Sequence, residues 1–372
     1  MFALRRVLLA ATHRSRAHTA PVARSIIAGS APALTPMKKP FSPSSKLVAA
    51  ELGVSVATIS RALTRPELLS RQTRERVLQG IERLGYRPNL IARDLRRGQT
   101  GTVLVVIPKQ APFFLEIFRG AEQAADELGL AVLMGNSRGD IEREKTYFDQ
   151  AASGHADGLI LLTGELPFRG AAARALPPLV VALEPLRDSD LPFVVVNHAA
   201  GAEEAVRHLV GLGHKRIAHI AGPEPVHSAR ARLAGYRKAL KNASLAYDAA
   251  LVQRGDFSIL SGQKAMSVLL QQKPAPTAVF SANDEMAIGA IRTLKSAGWK
   301  VPDDVSVIGF DGQDIAEIYD PPLSTVHIPR FDVGYQAMMM LGNIISQQRP
   351  VKSVTLDTHL VIRATSAGPK RR

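Results

Sequence analysis

From residue 101 to the last third of the chain one pattern recurs: short, continuous apolar runs separated by stretches with helical period. The runs are GTVLVVIP (101–108), LAVLMGNS (130–137), ADGLILLTG (156–164), PLVVAL (178–183) and FVVVN (193–197). They resume as KRIAHIAG (215–222), ALVQRGDF (250–257), PTAVFSAND (276–284) and DVSVIGFDG (304–312). A strand with no polar alternation is covered on both faces, and helical crossovers between such strands make them parallel. Helices are expected over 113–128, 229–241, 261–271, 284–296 and 331–346. The pattern runs through twice. Residues 99–372 are therefore expected to be α/β, two doubly wound parallel-sheet lobes with a cleft between them.

In open α/β sheets ligands bind beyond the carboxyl ends of the strands. The residues just past the runs then form the candidate site: Phe113 and Phe114, Glu184, Ser228 and Arg232, Asn283, and Asp311 with Gln313. Aromatic rings, one Arg, one Asn and one or two carboxylates suit a neutral polar small molecule. Asp311 can accept from both hydroxyls of a vicinal diol, Arg232 can clamp a ring oxygen or carbonyl, and the rings can stack on a flat face. Each residue also has a plain structural use. Phe113 or Phe114 can belong to a helix-start core, Asn283 can cap the next helix, and Arg232 can pair with Asp311.

Charge separates the remainder from this body. The formal charge of +14 divides into +5 over residues 1–36, +8 over 37–98 and +1 over the rest. A basic end on a nearly neutral body points to a polyanion partner for that end. Residues 1–36 contain five Arg and no acid. Their apolar stretch, Val7 to Ala11, is too short for a secretory signal. Their composition fits a transit peptide, but the favoured reading is a stretch upstream of a start at Met37, which opens MKKP directly ahead of the first folded module; on either reading they are expected to be disordered. No run is long enough to span a bilayer.

Residues 45–87 read as three short helices. The first runs over 46–52, with Ser44 or Ser45 as cap, and Gly53 ends it. Val54 is a buried pin. Ser55 caps a second helix over 56–63, with Ile59, Ala62 and Leu63 inward and Ala57, Thr58, Ser60 and Arg61 outward. Ser70 caps a third over 71–84, which Pro88 stops. A tight turn between the first two makes a helix-turn-helix arrangement. Val56 and Ala57 suit thymine methyls, Thr58 and Ser60 reach phosphates, and Arg61 is long enough for a bidentate contact with guanine or a phosphate clamp. In residues 88–98, Asn89 is placed to cap a brief helix carrying Arg93, Leu95, Arg96 and Arg97. Leu95 would wedge into the minor groove while the arginines meet phosphates.

The run from Gly53 to Leu63, the Ser70 helix and the stretch Pro88–Gly98 together resemble the headpiece of the lactose/galactose-repressor family of bacterial transcription regulators. GHKRIAHIAGP, RLAGYRKAL, FSANDEMAIGA, KVPDDVSVIGFDG and DPPLSTVHIPR resemble that family's effector domain, which is itself similar to periplasmic sugar-binding proteins. RGDFSILSGQKAM, APTAVF and ELPFRG resemble its cytidine-repressor branch. The chain departs from the family at Leu47 and at Asn197, where an acid is usual. The resemblance implies a cytoplasmic, nucleoid-associated repressor that binds a pseudo-palindromic double-stranded DNA operator as a homodimer. It implies a small-molecule effector, a nucleoside, purine or sugar, held by Phe113, Phe114, Ser228, Arg232, Asn283 and Asp311. DNA would be met by Ser55, Val56, Ala57, Thr58, Ser60 and Arg61 in the headpiece, and by Asn89, Arg93, Leu95 and Arg96 in the hinge.

The rival classes are a periplasmic-type sugar receptor without a DNA role, and an α/β enzyme. A receptor needs an export signal and no headpiece. For an enzyme the chain offers no nucleotide-binding glycine fingerprint, no phosphate-binding loop, no nucleophile elbow and no zinc motif. It has no cysteine, which excludes disulfides, thiol catalysis and thiolate metal sites. No cofactor, metal site or catalytic residue is expected.

Overall fold

In this computed structural model, which describes residues 43–86, 99–168, 176–186, 189–347 and 351–370, three serines open the first three helices. These are α1 (Ser45–Glu51), α2 (Val56–Thr64) and α3 (Arg71–Arg83). Ser44, Ser55 and Ser70 each accept a hydrogen bond from the backbone N–H three residues on, which satisfies a donor the helix itself leaves free. Gly53, with φ at 62°, turns the chain between α1 and α2. Val48, Ala49, Ile59, Ala62, Val77 and Ile81 form the core, with Leu52, Val54, Leu69, Leu84 and Tyr86 packed around it.

Three local expectations need correction. Leu63 is 37% exposed, because the inward stripe of α2 is only Ile59 and Ala62 wide. Val54 is half-buried at the rim rather than a buried pin. The third helix ends at Arg83 because Gly85 takes φ 60°, three residues before Pro88. The chain divides into two units between Pro88 and Asn89. The hinge candidates Asn89, Arg93, Leu95 and Arg96 lie outside the described residues, as does the 1–36 extension.

The second unit contains two six-stranded sheets. The first holds β1 (Thr102–Ile107), β2 (Ala131–Asn136), β3 (Gly158–Leu161), β4 (Leu179–Leu183) and β5 (Phe193–Val196). Its helices α4 (Pro112–Leu128) and α5 (Ile141–Ala152) follow β1 and β2. The second holds β6 (Ile217–Ala221), β7 (Val252–Arg254), β8 (Ala278–Ser281), β9 (Ser306–Asp311) and β10 (Ser324–His327). It is accompanied by α6 (His198–Gly211), α7 (His227–Asn242), α8 (Ile259–Leu269), α9 (Asp284–Ser296) and α10 (Asp314–Ile318). The spatial orders β2-β1-β3-β4-β5 and β7-β6-β8-β9-β10 are the same topology twice. β3, β4, β6, β8 and β9 are buried along their whole length, as continuous apolar runs require, whereas the edge strand β2 alternates.

The final segment departs from a simple two-part reading. Helix α11 (Arg330–Ile345) does not stay with the second half of the chain but returns to pack along α4 in the first lobe. Glycines make that contact close: a Cβ on Gly120 would overlap the Phe331 carbonyl, and one on Gly334 the Ile117 carbonyl. β11 (Val354–Leu356) then extends the first sheet beside β5, and β12 (His359–Val361) pairs antiparallel with β10 in the second. The second sheet is therefore parallel except at that edge. The chain passes between lobes at three places: at Asn197, at Ile328–Pro329 and at Asp357–Thr358.

Candidate functional site

On α2, Val56 is 40% exposed, and Ala57, Ser60 and Arg61 are exposed with it. These slim side chains and one long cation share the open face of a capped helix in a basic unit. Thr58 differs from expectation: it is half-buried, and its hydroxyl lies 2.9 Å from that of Ser55, which also accepts from the Thr58 N–H at 3.0 Å. Ser55 and Thr58 thus build the start of the helix.

Between the lobes of the second unit lies a cavity of about 260 Å³, small for a ligand site. All six effector candidates line it: Phe113, Phe114, Ser228, Arg232, Asn283 and Asp311. They converge because both sheets reverse strand order there, β1 against β3 in one and β6 against β8 in the other. Leu162, Thr163, Leu183, Glu184, Val226, Phe257 and Gln313 complete most of the wall. Phe257 comes from the loop after β7 and is not among the residues to which the sequence points. Two signals could have pointed to it: its place after a strand, and its position in RGDFSILSGQKAM.

The charged centre is Arg232, 3% exposed. One terminal nitrogen donates to the Ala282 carbonyl; the other lies 3.1 Å from Asp311 Oδ1 and 3.4 Å from His198 Nδ1. Its guanidinium carbon sits 4.0 Å from the centroid of the Phe310 ring. Since guanidinium cannot accept, His198 Nδ1 does, so the imidazole proton is on Nε2. Burial, then the charge of Arg232, holds His198 well below its ordinary pKa and keeps it neutral. Arg232 thus pairs with Asp311, and the pair lies on the cavity wall.

Asp311 is 5% exposed and takes φ 112°, a strained conformation for a residue with a Cβ. Burial pushes its carboxyl up to about 6 against the pull of Arg232 and Arg330. Behind it, Asp284 accepts from the Gln313 N–H at 2.8 Å and the Thr325 hydroxyl at 2.5 Å. Burial, then the neighbouring Asp311, pushes Asp284 up to about 8. Arg330, at the second crossing between lobes, donates to the Gly312 carbonyl at 3.0 Å and lies 5.8 Å from the Phe113 ring centroid. Phe113 meets Phe114 edge-on, 5.1 Å between centroids, with Phe114 the more buried.

Asn283 lines the cavity and is also the cap expected of it: its Oδ1 caps α9 by accepting from the Met286 N–H, and its amide donates to the Phe257 carbonyl at 3.0 Å. Asn197 is not on the cavity wall. It caps α6 at the first crossing, accepting from the Ala200 N–H, a role an acid would fill equally. Of the histidines, His214 is structural, bonded to Thr277 and the Ala367 carbonyl. Among the described residues no cluster of three metal-ligating side chains occurs, and no single helix is long and apolar enough to cross a membrane.

A three-helix unit with an exposed polar recognition helix, joined in one chain to a two-lobed cleft domain, defines the class of DNA-binding transcription regulators with a periplasmic-receptor-like body. Residues 46–89 match the model of bacterial regulatory proteins of the lacI family, and residues 206–366 that of a periplasmic binding protein-like domain. The chain is 40% identical over 325 residues to the HTH-type transcriptional repressor CytR of Escherichia coli (strain K12), covering 86% of this chain and 95% of that one. It is 35% identical over 339 residues to the regulator CelR of Thermobifida fusca, covering 88% and 99%. Among solved structures, a lac repressor dimer bound to operator and the anti-inducer ONPF matches with TM-score 0.78 at 30% identity, covering 88% of this chain and 100% of that one. A CelR–cellobiose complex matches with TM-score 0.66 at 32%, covering 87% and 100%. The chain belongs to the lacI family of bacterial regulatory proteins, which are DNA-binding transcription regulators and not enzymes.

Proposed function

We propose that this chain is a cytoplasmic repressor that binds a pseudo-palindromic operator as a homodimer and responds to a nucleoside or similar small metabolite. The observation that carries the effector half is the interlobe cavity, with a buried Arg232–Asp311 pair at its centre and phenylalanine rings on its walls. Rings suit the flat face of a base, and Asp311 and Arg232 suit the hydroxyls and oxygens of a sugar. The likeness to the cytidine-repressor branch supports a nucleoside; the CelR–cellobiose neighbour favours a sugar as the second reading.

In the DNA half, Val56, Ala57 and Arg61 read base edges, and Ser60 holds a phosphate. Ser55 and Thr58 set the helix start that brings them into the groove. Residues 45–87 act as headpiece and 88–98 as hinge, where Asn89, Arg93, Leu95 and Arg96 meet the minor groove and its phosphates. Ligand binding shifts the lobes about the three crossings and so changes operator affinity. Calorimetry of the full chain against nucleosides, purines and simple sugars tests the effector class. A nucleoside should bind and change operator affinity in a gel-shift assay. Binding by sugars alone would replace the nucleoside reading with the second one.

A further inference from the structure

Helix α7 begins at the cavity wall: Val226, its N-cap residue, and Ser228 both line the cleft. Val226 offers no side chain to cap the helix. A helix start open to a cleft is a natural seat for a phosphate or carboxylate, since its free N–H groups and dipole favour negative charge. Here the seat is taken by the protein. Glu184, 8% exposed and following β4 in the opposite lobe, accepts from the Ser228 N–H at 3.0 Å. An incoming anion would have to expel that carboxylate and break a bond that joins the two lobes.

Among the charged groups of the wall, acids outnumber cations. Three acidic side chains, Glu184, Glu285 and Asp311, line the cavity against two cations, Lys109 and Arg232. The terminal nitrogens of Arg232 are committed to Ala282, Asp311 and His198. Two donors on wall residues remain buried without a partner, Arg232 Nε and Gln313 Nε2; the hydroxyl or carbonyl oxygens of an uncharged molecule can satisfy such donors.

We infer that Glu184 is a specificity-determining residue that closes the cleft to phosphorylated and carboxylated metabolites, so that the effector is an uncharged compound. This rests on the reading of the cleft as an effector site and narrows it: a nucleoside qualifies, its 5′-phosphate does not.

The test is calorimetry on the full chain with matched pairs: cytidine and cytidine 5′-monophosphate, adenosine and adenosine 5′-monophosphate, D-ribose and D-ribose 5-phosphate. Wild type, Glu184→Gln and Glu184→Ala are compared; Gln keeps the acceptor and size while removing the charge. The phosphorylated member of a binding pair should be at least 100-fold weaker than its neutral partner in wild type, and Glu184→Gln should narrow that gap tenfold or more. A phosphate ester within tenfold of its neutral partner in wild type, or a gap unchanged in both variants, overturns the inference. If no neutral compound binds, the nucleoside and sugar readings fail, and the esters alone decide this one. A silent wild type with binding to either variant upholds it; binding by wild type, or silence in both variants, overturns it.

Discussion

Arg232 and Asp311 carry most of the consequences at the scale of single residues. They form a buried ion pair, and removing one partner strands the other, at a cost of about 3–5 kcal/mol. Arg232→Ala is expected to abolish the ligand signal in calorimetry and to lower stability by that order in urea unfolding, while operator binding by folded protein persists. The acids behind the pair give a pH dependence with a definite sign. Asp311 at about 6 and Asp284 at about 8 both lie above their unfolded values, because burial favours the protonated form. The native state then holds more protons than the unfolded one, so their contribution is fully present below about pH 4. It declines as pH rises through 6 and 8. Urea midpoints measured across pH 5–9 should show that decline, and Asp284→Asn should flatten its upper part. The place of Arg232, Asp311 and Asn283 on the cavity wall was legible in sequence because each lies at or beyond the end of a strand that had to end at the cleft. His198 and Arg330 were not, because their neighbours are set by crossings between lobes rather than by the strand they follow.

Among the elements, the short helices of the first unit depend on their ends. Ser55→Ala removes the acceptor for the Thr58 N–H and should cost about 1 kcal/mol, read as weaker amide-exchange protection over residues 56–64. The caps and the Gly53 turn were legible because they are local chemistry: a hydroxyl three residues before an orphan N–H, and a residue without Cβ at positive φ. The end of α3 is not set by Pro88, because two helix stops stand close together and the nearer one, Gly85, acts first. Helix α11 shows the opposite limit. Its period marks it as a helix, yet nothing in that period says which lobe it covers. The glycine contact with α4 decides that, and Gly334→Ala, which drives a Cβ into the Ile117 carbonyl, should destabilise the chain by about 1–3 kcal/mol in urea unfolding.

For the whole molecule, charge and ligand chemistry belong to different parts of one chain. Operator affinity should fall steeply with salt, and Arg61→Ala should either lower the slope of log affinity against log salt by about 1, if Arg61 meets a phosphate, or relax base preference at one position, if it reads guanine. The effector should shift operator affinity by about 5–150-fold, measured by titrating labelled duplex with and without ligand. A fragment of residues 99–372 should bind ligand and lose specific DNA affinity. The sequence by itself determined the order of strands and helices, the capped helix-turn-helix, the segregation of positive charge and the strand ends from which a site had to be built. These are properties of neighbouring residues, limited by backbone sterics, helix-end hydrogen bonding and the need to bury apolar runs. Only the tertiary structure decided that Arg232 joins Asp311, that Glu184 reaches the start of α7 from the other lobe, and that α11 turns back to the first sheet. Those contacts link positions far apart in the chain, the first within the second lobe, the second across the cleft and the third within the first lobe, and they exist only once the chain has folded back on itself.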